Sequence, residues 1–279
     1  MSDEPAASDG TTGTDGTTGT DGTTALEEPA AALGDRVAAA PGVLCCLDFD
    51  GTLASIVDEP DEATLSPACG EPLRRLVARS TVDVAVVSGR ALRDLEERVG
   101  VDGVTYAGNH GLELRRDGER QVHPEARDRR PAIREVSGTI ADQTGEIDGV
   151  RVEDKGVTAT VHYRQVAEAD VPDVVATVDR VVDAADAALE ITEGKAIREI
   201  RPRVDWDKGR VVQQLLDEVP NDWLPVYVGD DTTDEDAFEV VEPDGIGVHV
   251  GDDETAASYR VPDQSDVADL LAVVAERTG

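Results

Sequence analysis

The sequence has 279 residues, with 60 Asp and Glu against 26 Lys and Arg and a formal net charge of −34. That surplus argues against a nucleic-acid groove or an anionic membrane surface as partner, and no apolar run approaches the length of a membrane-spanning helix. The length suffices for one large domain or two smaller ones.

Three cysteines, Cys45, Cys46 and Cys69, form no CxxC pair, as expected of reduced thiols in a cytoplasm. No basic flank precedes an apolar run near the N-terminus, so no signal peptide is expected. Only three of the basic residues are lysines, Lys155, Lys195 and Lys208, and the acid is spread along the chain instead of forming a tail. Such a composition suits a protein adapted to high salt, where self-repulsion is screened.

Residues 1–27 read as a disordered leader, because a Thr/Gly/Asp repeat fills residues 9–24 and offers nothing apolar to bury. A helical stretch then runs from Ala25 through Val37 to a continuous apolar run, Val43–Leu47, read as a fully buried strand. Similar runs recur at Val82–Val87, Val104–Ala107, Pro225–Val228 and Ile246–Val250. Helical stretches at Ala68–Arg79, Arg90–Val99, Gly209–Val219 and Thr233–Val241 alternate with them, predicting βαβ units and a parallel sheet. From about Arg116 to Arg203 the pattern changes to strand-like pieces and one helix, Pro172–Ala188. Along 157–164, Val157, Ala159, Val161 and Tyr163 alternate with Thr158, Thr160, His162 and Arg164, as in an antiparallel sheet with one polar face. The fold class expected is therefore α/β: a Rossmann-like parallel-sheet core over 28–115 and 205–279, with an inserted α+β cap over 116–204.

Polar residues end the core strands: Asp48 after the first, Ser88 after the second, and Gly229-Asp230-Asp231 after a later one. Open parallel sheets bind ligands at that edge. In LDFDGTL, Asp48 ends the strand and Asp50 follows two positions on, a spacing that places both carboxylates at one crevice. One can attack phosphorus while the other exchanges protons. Asp48 and Asp230 are hard oxygen ligands that suit Mg2+, with the Asp50 carbonyl and waters completing an octahedron.

DxDGT together with Ser88-Gly89-Arg90, Lys208-Gly209 and GDDTTDEDAF resembles the haloacid-dehalogenase-like phosphatases, motif by motif and in the same order. The resemblance implies Asp48 as nucleophile, Asp50 as acid and base, and Lys208 as the cation that neutralises the transferring phosphoryl group. It implies phosphate contacts from Thr52, Ser88 and Arg90. Asp231 is expected to orient Lys208 or a bound water; Asp234 is read either the same way or as an acid at a helix start.

The inserted strings Glu153-x-Lys155, His162-Tyr163-Arg164, Gly194-Lys195 and Glu199-Ile200-Arg201-Pro202, with Gly108-Asn109-His110-Gly111, resemble trehalose-6-phosphate phosphatases. That resemblance spans roughly Ala38 to Ala272. It implies a sugar phosphate as partner, with Glu153, Lys155, His162, Lys195 and Glu199 at the distal sugar and Asn109 and His110 near the domain interface. On an extended chain Lys195, Glu199 and Arg201 share a face. A phosphatase of sucrose phosphate or mannosylglycerate phosphate is the alternative. Oligomeric state is not legible.

Overall fold

The computed structural model describes residues 27–57, 60–185 and 187–278. The expected disordered leader, apart from Glu27, lies outside the described residues. Among them the strands in chain order are β1 (Val43–Leu47), β2 (Val82–Val87), β3 (Thr105–Gly108), β4 (Glu113–Arg116), β5 (Glu119–Val122), β6 (Arg151–Asp154), β7 (Ala159–His162), β8 (Leu189–Gly194), β9 (Ile197–Pro202), β10 (Leu224–Gly229), β11 (Ile246–Val250) and β12 (Tyr259–Val261). The α-helices are α1 (Glu27–Ala39), α2 (Pro67–Val77), α3 (Leu92–Val99), α4 (Pro124–Thr144), α5 (Val171–Ala184), α6 (Lys208–Glu218), α7 (Glu235–Val241) and α8 (Val267–Arg277). None is long and apolar enough to cross a membrane.

Eight strands form one sheet in the order β12-β11-β10-β1-β2-β3-β4-β5. The pairs from β12 to β3 are parallel; β3–β4 and β4–β5 are antiparallel. Helices cover both faces, which explains the uninterrupted apolar runs. In β1, Val43, Cys45 and Leu47 pack toward α1, α2, α3 and α8, whereas Leu44 and Cys46 pack toward α6 and α7. All three cysteines are buried and unpaired. Because β1 lies between β10 and β2, the carboxyl ends of all three strands deliver Asp48, Asp230 and Ser88 to one edge.

The second sheet has four antiparallel strands in the order β6-β7-β9-β8. Helices α4 and α5 cover one face around Ile133, Val136, Ile140, Val174 and Val178. Val157, Ala159 and Val161 are buried as the alternation predicts, but Thr158 and Thr160 on the polar face are buried too.

Two expectations need correcting. The boundary at residue 116 falls inside the β4–β5 hairpin, which extends the larger sheet through Val122. The middle segment also contains the 21-residue helix α4, absent from the sequence reading. Its prolines mislead: Pro124 sits in the first turn, where its missing N–H costs nothing, and Pro131 lies inside the helix.

Candidate active site

Asp48 leaves β1 with its amide donating to the Val228 carbonyl at 2.9 Å, so the register of β1 on β10 fixes where its carboxylate stands. Lys208 opens α6, whose N-cap Asp207 accepts a bond from the Arg210 amide at 2.8 Å. The buried Lys208 Nζ donates to Asp48 Oδ1 and to Asp234 Oδ1, both at 2.7 Å. Burial alone would discharge this ammonium, but Asp234 and Asp48 outweigh it and hold its pKa above the ordinary lysine range.

Asp234 is fully buried. Its Oδ1 also accepts from Tyr227 Oη at 2.5 Å, and its Oδ2 takes the amides of Asp230 and Asp231 at 3.1 and 3.0 Å. This settles its dual reading: Asp234 both closes the local turn and anchors the lysine. Asp231 does not fill the first of its two expected roles, that of orienting Lys208. Its exposed carboxylate caps the turn by accepting from the Thr232 amide at 2.7 Å, so Asp234, not Asp231, orients Lys208.

Burial first, then repulsion from Asp234 and Asp230, pushes the Asp48 carboxyl well above the usual range, against the pull of Lys208. Burial likewise, with Asp234 next, pushes Asp230 up to about 7. Asp48, Asp230 and Asp234 each offer an oxygen within 4.8 Å of the others. With Asp234 saturated by protein donors, Asp48 and Asp230 are left for a cation. The backbone after Asp50 approaches them closely: a Cβ on Gly51, whose φ is +82°, would lie 1.9 Å from Asp230 Oδ2. Two buried, charge-crowded carboxylates against a glycine-only backbone fit a small hard divalent ion. Thr52 Oγ1 donates to Asp230 Oδ1 at 3.4 Å, which places this hydroxyl beside the acid cluster.

Arg90 holds Asp50 by two bonds, Nε to Oδ2 at 2.7 Å and Nη2 to Oδ1 at 2.6 Å. Its Nη1 donates to Asp94 Oδ2 at 2.9 Å, and its guanidinium lies 5.4 Å from the Phe49 ring centroid. Ser88 Oγ accepts from the Arg90 amide at 3.2 Å, which pins the turn after β2.

The inserted sheet meets this edge with its polar face. Lys155 Nζ donates to the Gly89 carbonyl at 3.0 Å and stands 3.7 Å from Glu199. His110 Nε2 lies 3.3 Å from Glu199 Oε2, and His162 Nε2 lies 3.0 Å from Glu153 Oε2. Burial opposes ionisation of Glu199, but His110, then Lys155 and Arg201, bring its pKa down to about 2. Glu153 is lowered in the same way, burial being outweighed by His162 and Lys155.

A pocket of about 220 Å³ collects Asp48, Asp50, Arg90, His110, Glu153, Lys155, His162, Glu199 and Lys208 on one wall or another. It adjoins a cleft of about 1250 Å³ whose walls include Lys195. Lys195 does not share a strand face with Glu199 and Arg201: Gly194 pairs with Ile197, leaving Lys195 and Ala196 as a two-residue turn, with Ala196 at φ +60°. Parity does not carry across a turn. Nor is Asn109 offered to a ligand. Its amide donates to Glu113 at 2.9 Å and to the Lys155 carbonyl at 3.4 Å, and it accepts from Thr158 at 2.7 Å, tying core to insert. Tyr227 went unnoticed in the sequence because a tyrosine in an apolar strand reads as core; its partner Asp234 lies seven positions on, beyond the end of the strand.

The family model described as trehalose-phosphatase matches residues 46–265. A trehalose-phosphate phosphatase of Mycobacterium tuberculosis is 41% identical over 244 residues, which is 84% of this chain and 61% of that protein. The chain thus spans about 61% of the length of such curated relatives. Among solved structures, the C-terminal domain of a Candida albicans trehalose-6-phosphate phosphatase is similar with a TM-score of 0.73 at 22% identity, covering 88% of this chain and 96% of that one. A haloacid dehalogenase-like hydrolase from Bacteroides thetaiotaomicron has the same fold, with a TM-score of 0.59 at 15% identity over 83% of this chain and 98% of that one.

Proposed function

The chain belongs to the trehalose-phosphatase family, and from that premise we propose that it hydrolyses trehalose 6-phosphate to trehalose and phosphate. The observation that carries the reading is the convergence in one pocket of a reaction centre (Asp48, Asp50, Lys208) and a polar sugar-facing set, His110 from the core and Glu153, Lys155, His162 and Glu199 from the inserted unit.

In the reaction, Asp48 attacks phosphorus and forms an aspartyl-phosphate as the ester P–O bond breaks. Asp50 gives a proton to the departing sugar oxygen. It then takes one from the water whose oxygen attacks the aspartyl-phosphate, restoring Asp48 and releasing phosphate. Lys208, fixed by Asp234, which Tyr227 holds in turn, supplies positive charge where the phosphoryl oxygens gather it. Asp48, Asp230 and the Asp50 carbonyl are the groups to hold Mg2+, which supplies charge neutralisation at the phosphoryl group. Ser88, Thr52 and Arg90 surround the phosphate position, directly or by fixing its neighbours. The inserted unit, beginning after the β4–β5 hairpin, acts as a cap that reads the sugar and excludes water. Net charge −34 and the scarcity of lysine support a cytoplasm rich in salt as the working environment.

Phosphate release from trehalose 6-phosphate, sucrose phosphate and mannosylglycerate phosphate, with Mg2+ and with chelator, in molar salt, tests the assignment. Trehalose 6-phosphate is expected to be the best substrate and chelation to abolish turnover. A clear preference for another ester refutes the sugar assignment. Asp48→Asn is expected to abolish turnover; a variant that retains Mg2+-dependent hydrolysis removes Asp48 as nucleophile.

A further inference from the structure

Ile56 is 78% exposed, and among the described residues it alone of the large apolar side chains stands so far out. A solitary surface isoleucine is ordinarily unremarkable. This one, however, lies on the wall of the 1250 Å³ cleft, and its backbone is anchored on both sides. Before it, Ala54 is buried and accepts the Gly51 amide at 2.8 Å, and the Ser55 hydroxyl bonds Gln264 at 3.1 Å. After it, Val57 packs against the main core. The side chain is therefore held toward the cleft by fixed neighbours.

Size then separates the two cavities. The inner pocket of about 220 Å³ must take the phosphoryl group and the ring that carries it. A disaccharide phosphate is a drug-sized ligand, and such ligands occupy on the order of 300 Å³ or more. The excess has a continuous way into the cleft, because His110, Ile197, Glu199, Asp231 and Thr233 line the pocket and the cleft alike. The far ring must enter the cleft. There Lys195 on its turn offers a polar group to the rim of hydroxyls, while Ile56 and Ile197 offer apolar surface. A pyranose has that same division, with hydroxyls around its edge and C–H bonds on its faces.

We propose that Ile56 is a specificity-determining residue, forming an apolar platform for the ring of the substrate that does not carry phosphate. The proposal rests on the disaccharide-phosphate reading and adds to it a place for the second ring. Contact with that ring strengthens binding of the disaccharide ester and contributes nothing to a monosaccharide ester.

Steady-state kinetics of wild type, Ile56→Ser and Ile56→Leu on trehalose 6-phosphate and on glucose 6-phosphate test this. Wild-type turnover of trehalose 6-phosphate is measured first, so failure of the functional reading appears there, before any variant is compared. In Ile56→Ser, KM for trehalose 6-phosphate rises about tenfold, in keeping with one lost apolar contact, at unchanged kcat. Its kcat/KM for glucose 6-phosphate stays at the wild-type value, and Ile56→Leu restores KM for the disaccharide ester to within about twofold of wild type. An equal loss on both esters, or no loss on either, overturns the proposal.

Discussion

Arg90 grips the Asp50 carboxylate with two arms of its guanidinium, at 2.7 and 2.6 Å. The carboxylate of the proposed acid and base is thereby fixed in orientation, and Arg90 is fixed in turn by Asp94 and the face of Phe49. A lysine is a point charge that cannot bracket two oxygens. Arg90→Lys is expected to lower kcat/KM on the order of a hundredfold, the scale of losing one oriented donor at a reacting group. Initial rates at saturating Mg2+ measure this, and wild-type turnover in the variant would detach Arg90 from the reaction.

Asp48 and Asp230 predict how metal and pH combine. Burial and repulsion from Asp234 raise both carboxyls, Asp230 to about 7 from an ordinary value of 3.8. A raised group favours the native state fully below its unfolded pKa and withdraws that support as pH climbs through the folded value. Metal-free protein should therefore lose stability between about pH 4 and pH 7 from Asp230, and Asp48 adds a loss of the same sign. A bound divalent cation replaces the missing protons, so Mg2+ should raise the melting temperature more at about pH 7.5 than at about pH 5. Equal shifts at the two pH values would argue that the cation binds elsewhere.

Glu199 behaves in the opposite sense. Its folded pKa of about 2 lies below the ordinary 4.5 because His110, Lys155 and Arg201 outweigh the cost of burial. The stability it contributes is complete above its unfolded pKa and disappears as pH falls from about 4.5 toward about 2. Urea midpoints measured across that window should fall less steeply for Glu199→Gln than for wild type. Parallel curves would show that Glu199 is not the group responsible.

A net charge of −34 makes the folded chain repel itself. Raising salt from about 0.1 M to 1 M shortens the screening length from about 10 Å to about 3 Å. The melting temperature should climb over that range, and by similar amounts in KCl and NaCl if screening is the cause. A flat response would separate the acidic composition from salt tolerance.

The βαβ core was legible because burial on both faces leaves a plain signature: β1 has no polar residue from Val43 to Leu47, and the acids stand immediately after such runs. Helix α4 was not, since a segment as charged as EARDRRPAIRE hides the sparse stripe Ile133, Val136 and Ile140 that packs on the small sheet. In the site, identity was easier to read than partnership. Asp234 could be found in its motif, but Lys208, 26 positions away, meets it only through the sheet, and so a local pattern could not choose between a cap and an anchor. Asn109 lies at the junction of core and insert, where a polar side chain in a motif looks available to a ligand until Glu113, Thr158 and the Lys155 carbonyl are seen to occupy it.

The three lysines end in unlike surroundings. Lys208 is sealed between Asp48 and Asp234, Lys155 is mostly covered and bonded to Gly89, and Lys195 stands exposed on the turn between β8 and β9, at the cleft. An acylating reagent therefore meets one readily accessible side-chain amine among the described residues. The natural sequence already carries its own attachment point for a dye or a crosslinker, at the place where the arrival of a sugar would be felt.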